Sequence, residues 1–162
     1  MTITVRPASE ADASAACEVL RRSIRELCSA DHDNDEQILA AWLKNKTAEN
    51  VGAWVCSESN FSVVAVEGTK VRGFALLHRQ GEILFCYVVP EVIRRGGGKL
   101  MLRALEQQAV RWGLNNLFLT STLTAKPFYE HHGYVWSGTS VSIFGLHRAF
   151  PMSKPMSSRG DR

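Results

Sequence analysis

Apolar and polar positions alternate over residues 3–6 and then, after Pro7, recur at spacings of three and four, which predicts a short strand followed by a helix. Ser9 with Asp12 forms a capping-box-like start, and Ala13, Ala16, Cys17, Leu20, Ile24 and Leu27 fall on one helical face. A second start at Asn34 with Gln37, followed by Ile38, Ala41 and Trp42, predicts one more helix. The period then changes: residues 61–67, 71–78 and 83–89 read as strands, linked by Gly68-Thr69-Lys70 and by a turn at Gln80-Gly81. Links this short require antiparallel neighbours. A third helix is expected from near Gly97, burying Leu102, Leu105, Ala109 and Trp112 and stopping at Gly113. Residues 117–121 read as a strand, Thr124 as the cap of a short helix running to His132, Gly133 as its stop, and Tyr134 as the start of the last β segment. A strand, helix, strand unit with one crossover is expected to be parallel and right-handed, so the predicted sheet is mixed.

At 162 residues and 45% hydrophobic content the chain is read as one α/β (α+β) domain over residues 1–154, with a core of ordinary size. From Phe150 onward there is little to bury, and residues 155–162 are expected to fray. The net charge of +3 is spread without a long basic run, which argues against nucleic acid as a partner. The cysteines at 17, 28, 56 and 86 form no C-x-x-C pair, so they read as reduced, mostly buried thiols of a cytoplasmic protein and not as a zinc site. The N-terminus lacks the apolar core of a signal peptide, and no apolar run approaches the roughly 18 residues of a membrane span, so no membrane partner is expected.

The chemistry concentrates at residues 87–103, where an apolar strand runs into a basic, glycine-rich turn that opens a helix. Arg94, Arg95 and Lys99 bring positive charge, Gly96, Gly97 and Gly98 clear side chains from the backbone, and the first helical N–H groups have no intrahelical partner. A phosphorylated ligand is the expected occupant. A P-loop is excluded because its first glycine and its Ser or Thr would fall at Ile93 and Leu100. A dinucleotide fingerprint fails at Met101, where a third small residue is needed.

The segment resembles the pyrophosphate-binding motif of the GNAT superfamily of acyl-CoA-dependent N-acetyltransferases, V-x-P followed by Q/R-x-x-G-x-G/A. It reads here Val88-Val89-Pro90, then Ile93-Arg94-Arg95-Gly96-Gly97-Gly98, with Ile93 in place of Gln or Arg. Ala125, Phe128, Tyr129, Gly133 and Tyr134 match a second signature of that superfamily, N-x-x-A-x-x-F/L-Y-x-x-x-G-F/Y, with Thr122 at the Asn position. The element order also resembles the GNAT fold, which implies a mixed central sheet with splayed parallel central strands and helices on both faces.

The resemblance implies a ternary complex in which acetyl-CoA gives its acetyl group directly to an amine, without a metal. Tyr129 is implied as the acid that protonates the leaving thiolate. Backbone N–H groups around Tyr87 and Val88 are implied as oxyanion donors, in a strand where Cys86, Tyr87 and Val88 line the pantetheine arm, and Thr122 and Phe128 complete the cofactor set. An alkylammonium of pKa about 10 must lose a proton before it attacks. Glu82, before Ile83-Leu84-Phe85-Cys86, is implied as the base by likeness to the superfamily's histone acetyltransferases. The glutamate that the ribosomal-protein acetyltransferases use would fall at Leu117, where no acid stands. Residues 28–33 lie where the family builds its acceptor pocket; capping by Asp33 or Asn34 with a solvated His32 is the plainer reading. His131 and His132 read most simply as partners of a helix dipole, with a place for either at the border of the active site as the alternative. The absence of a basic cluster outside the phosphate loop favours a small-molecule amine as acceptor, on a monomer or a homodimer. A protein or peptide acceptor, a longer acyl donor, and a non-catalytic acyl-CoA sensor or interaction module of the same fold stand as alternatives.

Overall fold

The computed structural model describes residues 2–143 and 146–157. In chain order the elements are β1 (Ile3–Pro7), α1 (Ala13–Leu27), α2 (Ser29–His32), α3 (Glu36–Leu43), α4 (Ala48–Cys56), β2 (Asn60–Glu67), β3 (Lys70–His78), β4 (Ile83–Val88), α5 (Gly97–Arg111), β5 (Asn116–Ser121), α6 (Lys126–His131), β6 (Val135–Trp136), β7 (Val141–Ile143) and β8 (Leu146–Pro155). The fold is α+β. Strands β1 to β4 form one antiparallel sheet in that order, and β5, β8 and β6 form a second, with β7 also paired to β8.

The expected mixed sheet therefore takes the form of two antiparallel sheets, and the parallel contact between β4 and β5 is the bridge Glu82–Phe118. There the Phe118 N–H donates to Gly81 O at 3.0 Å. Just beyond it β4 bulges: Ile83 pairs with Leu77 and Phe85 with Leu76, leaving Leu84 as the extra residue. Cross-strand partners share a face, so Phe85 and Tyr87, opposite Leu76 and Phe74, point one way. His78 N–H donates to Glu82 O, which puts Glu82 opposite His78, on that same face. Without the bulge Glu82 would share a face with Cys86.

The first sheet is covered on both sides. On the Phe85–Tyr87 face, Trp54 of α4 stacks on Phe85 with centroids 5.2 Å apart, and Tyr87 packs against Ile24, Cys28, Trp42 and Leu43. On the other face α5 lies close enough that a Cβ on Gly73 would fall 2.8 Å from the Met101 methyl carbon. Met101, Leu102, Leu105 and Ala109 are buried there, at the spacing the sequence predicts.

Several expectations change. Four helices, not two, separate β1 from β2. The cap of α3 is Asp35, whose Oδ1 accepts the N–H groups of Gln37 and Ile38, while Asp33 and Asn34 take left-handed backbone with φ of 54° and 55°. His32 is fully buried, with Nε2 2.8 Å from Ile24 O and Nδ1 accepting the Asn34 N–H. Those partners assign the neutral tautomer protonated at Nε2. Far from having little to bury, the chain after Phe150 puts Phe150 and Met152 in the core of β8. Pro155 pairs with Asn116 and the Met156 N–H donates to Asn115 O; residues 158–162 of the expected tail lie outside the described residues. No helix among the described residues is long and apolar enough to cross a membrane.

Candidate functional site

The turn after β4 is built for a close backbone approach. A 3-10 turn over Pro90–Val92 leads to Arg94 at φ 64° and Gly96 at φ 89°, and Gly96 is the N-cap of α5, with its carbonyl accepting the Leu100 N–H. The left-handed backbone at Gly96 is costly for any residue with a Cβ. Gly98 matters for a different reason: a Cβ there would stand 3.3 Å from the ring of Phe128, which would have to yield, so α5 and α6 meet closely across a bare backbone. The free N–H groups of the first turn and the helix dipole favour an anion at this end of α5.

A cavity of ≈ 710 Å³ opens beside this turn. One wall is β4 and the turn, with Cys86, Tyr87, Val88, Arg94, Gly96, Gly98 and Lys99; the opposite wall is the start of α6, with Thr122, Thr124 and Phe128; the end of α1 closes a third side through Leu27 and Cys28. Arg94, Lys99, His131 and His132 line it, and among the described residues no carboxylate does. These residues fit a phosphate-bearing ligand with an apolar arm.

Nine of the residues singled out from sequence are thus brought together; four are not among the lining residues. Arg95 turns away, its guanidinium 2.7 Å from Glu67 in an ion pair that Arg72 shares. Gly97 faces Val88, Ile3 and Ala65 in the contact between α5 and the sheet. Tyr129 sits behind Phe128, its ring 5.3 Å from Phe128 and 5.7 Å from Tyr134 by centroid. It is 7% exposed, and no protein group among the described residues hydrogen-bonds its hydroxyl. Glu82 is half-buried at the far end of β4, with no partner for its carboxylate among the described residues.

Burial sets the protonation states around the inner wall. It pushes the Tyr129 phenol well above its ordinary value, helped by the nearby Cys86 and Tyr87, and raises Tyr87 in the same way. Cys86, whose Sγ is 3.8 Å from Gly98 O, is pushed up to about 12, and Cys28 to about 12. At neutral pH a thiol of that pKa is ionised on the order of 1 part in 10⁵, which leaves neither cysteine nucleophilic. Both tyrosines stay protonated. His132 is lowered, first by burial and then by His131.

The α6 wall carries two histidines and a capping threonine. His131 and His132 line the cavity, and their rings lie 5.1 Å apart. Thr122 Oγ1, in place of Thr124, caps the turn into α6 by accepting the Ala125 N–H at 3.0 Å. The α1 wall carries no motif; its one signal is Ser23, a polar residue on an otherwise apolar helical face, 2% exposed and lining the cavity.

A family model described as acetyltransferase (GNAT) domain matches residues 29–156. No curated protein matches the sequence. A solved GCN5-related N-acetyltransferase from Rhodopseudomonas palustris superposes with a TM-score of 0.83 at 26% identity, over 96% of this chain and 97% of that one. The PaiA N-acetyltransferase from Thermoplasma acidophilum, solved with coenzyme A, gives 0.83 at 20% identity over 96% and 99%. YncA from Salmonella typhimurium, solved with acetyl-CoA, gives 0.73 at 18% identity over 99% and 98%.

Proposed function

The chain belongs to the acetyltransferase (GNAT) family, and from that premise we propose that it moves the acetyl group of acetyl-CoA directly to the primary amine of a small molecule, in a ternary complex, through a single domain. The observation that carries the reading is the one cavity that unites the basic glycine turn with the second signature, residues 122–132. The diphosphate is assigned to the amides at the start of α5, with Arg94 and Lys99 beside it. Solved relatives hold coenzyme A and acetyl-CoA.

Strands β4 and β5 are taken as the family's splayed pair. In support, they meet in parallel at Glu82–Phe118 and no further ladder joins them among the described residues. Val89 N–H donates to Arg72 O, so alternation along an antiparallel strand turns the amides of Cys86 and Val88 away from β3 and toward the gap. We assign the oxyanion donors to these two, with Cys86 in place of Tyr87. The bound thioester supplies the activated acetyl group. Tyr129 Oη holds the proton for the departing sulfur; burial keeps the phenol protonated at neutral pH and also makes it the weaker acid, so the proton moves only as charge builds on the sulfur. The inert Cys86 and Cys28 thiols favour direct transfer over an acyl-enzyme.

Glu82 is assigned as the base. The bulge at Leu84 sets it on the face of β4 toward the N-terminal helices, away from the α5 face that Cys86 and Val88 share. An amine arriving from the helical side would reach the thioester across the strand. Trp54 and Lys46 crowd that face over Phe85, which favours a small acceptor over a polypeptide.

The test measures acetyl-CoA consumption against a panel of small amines and peptides, with coenzyme A binding followed by calorimetry. Tyr129→Phe and Glu82→Gln are each expected to lower kcat about 10²-fold or more while coenzyme A binds as in wild type. Undiminished turnover in either variant removes that residue from the mechanism. Turnover with peptides alone reverses the acceptor class, and binding without turnover across the panel returns a sensor.

A further inference from the structure

We propose that Asp31 is a positioning residue for the transfer step, holding the wall that carries Tyr129 in register with β4; this rests on the acetyltransferase reading. Asp31 belongs to α2, a single helical turn remote in sequence from α6. Its Oδ1 accepts the Leu123 N–H at 2.7 Å, and its Oδ2 accepts the Thr124 N–H at 3.1 Å and the Thr124 hydroxyl at 2.5 Å. One carboxylate thus gathers three donors from the loop that leads into α6. Among the described residues, no other side chain from elsewhere in the chain hydrogen-bonds residues 122–125.

The other end of this strap is firmly fixed. The amides of Asp31 and His32 donate to Cys28 O, and the buried His32 ring is held by Ile24 O and the Asn34 N–H. Leu27 and Cys28 line the cavity on that side, Thr122, Thr124 and Ala125 on the other. Asp31 therefore ties two cavity walls together. It does so from a half-buried position outside the hydrophobic cores, so its loss is expected to loosen the wall without unfolding the protein.

The consequence is asymmetric. The diphosphate end of the cavity, at Arg94 to Lys99, stands on α5 and does not depend on the strap, whereas Tyr129 lies less than two turns beyond Thr124. Ångström-scale misplacement of a reacting group costs up to about 10²-fold in rate. Asp31→Ala is accordingly expected to lower kcat about tenfold while KM for acetyl-CoA changes less than about twofold. Asp31→Asn, which keeps one acceptor oxygen and the side-chain shape, is expected to fall between. Thr124→Val removes one of the three donors, and Thr124→Ser restores it. Because both residues act through the same loop, Asp31→Ala combined with Thr124→Val should be no slower than Asp31→Ala alone.

A kcat within twofold of wild type in Asp31→Ala, a KM that rises as far as kcat falls, or multiplying losses in the double variant would each overturn the proposal. Amide hydrogen exchange separates this failure from failure of the acetyltransferase reading. The Leu123 and Thr124 amides should exchange at least about tenfold faster in Asp31→Ala and Asp31→Asn, with the first turn of α5 unchanged. That result with no turnover in wild type sinks the enzyme reading and leaves the strap; unchanged exchange sinks the strap itself.

Discussion

Asp12 is gripped from both flanks of the first turn. Its carboxylate takes two hydrogen bonds from Arg6, at 2.8 and 2.9 Å, and one from the Ser9 N–H at 2.8 Å. The Arg6 contact, aided by Ser9 and opposed by burial, holds the carboxyl down at about 2. A carboxyl whose folded pKa is depressed adds stability that is full above its unfolded value near 4 and is lost as pH falls toward about 2. Asp12→Asn should therefore cost about 2 kcal/mol in urea unfolding at pH 7, and the gap from wild type should narrow below about pH 4 and close only below about pH 2. A constant gap from pH 7 to pH 2 would show the loss to be packing. Half of this arrangement was legible: Ser9 and Asp12 are three apart and form a local motif. Arg6 was not, because its partner is chosen by how β1 meets the helix. The same limit explains Arg95, which sequence placed at the phosphate and tertiary structure pairs with Glu67.

Where two helices touch, a missing side chain decides the width of the cavity. The α5–α6 contact runs through Gly98 and Phe128, and a Cβ at Gly98 would press on the ring at 3.3 Å, a distance a neighbour must yield to. Phe128 lines the cavity, so Gly98→Ala should move the ring and weaken coenzyme A binding about tenfold by calorimetry, a loss of about 1.4 kcal/mol. Gly97→Ala is the control, since a Cβ there meets Ile3, Val88 and Ala65 at ordinary distances of 3.6 to 3.8 Å. Equal loss in both variants would point to the backbone of the turn and not to the ring. Elements with a strong period, such as α1, β2, β3 and α5, were readable from the chain. Helix α4 was not, because only Val51 and Gly52 of its nine residues are buried and its apolar face, Val51, Trp54 and Val55, spans little more than one turn. Pro151 and Pro155 hid β8: the first stands opposite Thr120, outside the two-residue β6 ladder, and the second at the strand's end. The bulge at Leu84, which selects the face of Glu82, leaves no trace in the alternation of residues 83–88.

The cavity is lined by residues next to both sheets, which share one hydrophobic core, and a ligand that binds only the folded chain adds to its stability. Coenzyme A at about 100 times its Kd should stabilise the fold by about 2.7 kcal/mol. For a chain of this size that is a rise of about 5–10 °C in Tm. The gain has separable parts. Arg94 lines the cavity and Arg95 is committed to Glu67, so removing the first guanidinium should cost far more than removing the second. With a Kd about tenfold weaker, Arg94→Ala at the same ligand concentration keeps about 1.4 kcal/mol, roughly half the rise in Tm. Arg95→Ala should keep nearly all of it. Raising the salt from 0.05 to 0.5 M should shrink the wild-type rise more than the Arg94→Ala rise, because screening acts on the charge and less on the amides of the turn. Equal losses in the two variants would mean that Arg95 leaves Glu67 when the ligand arrives, and the ion pair would then be a competitor for the phosphate and not an anchor of the loop.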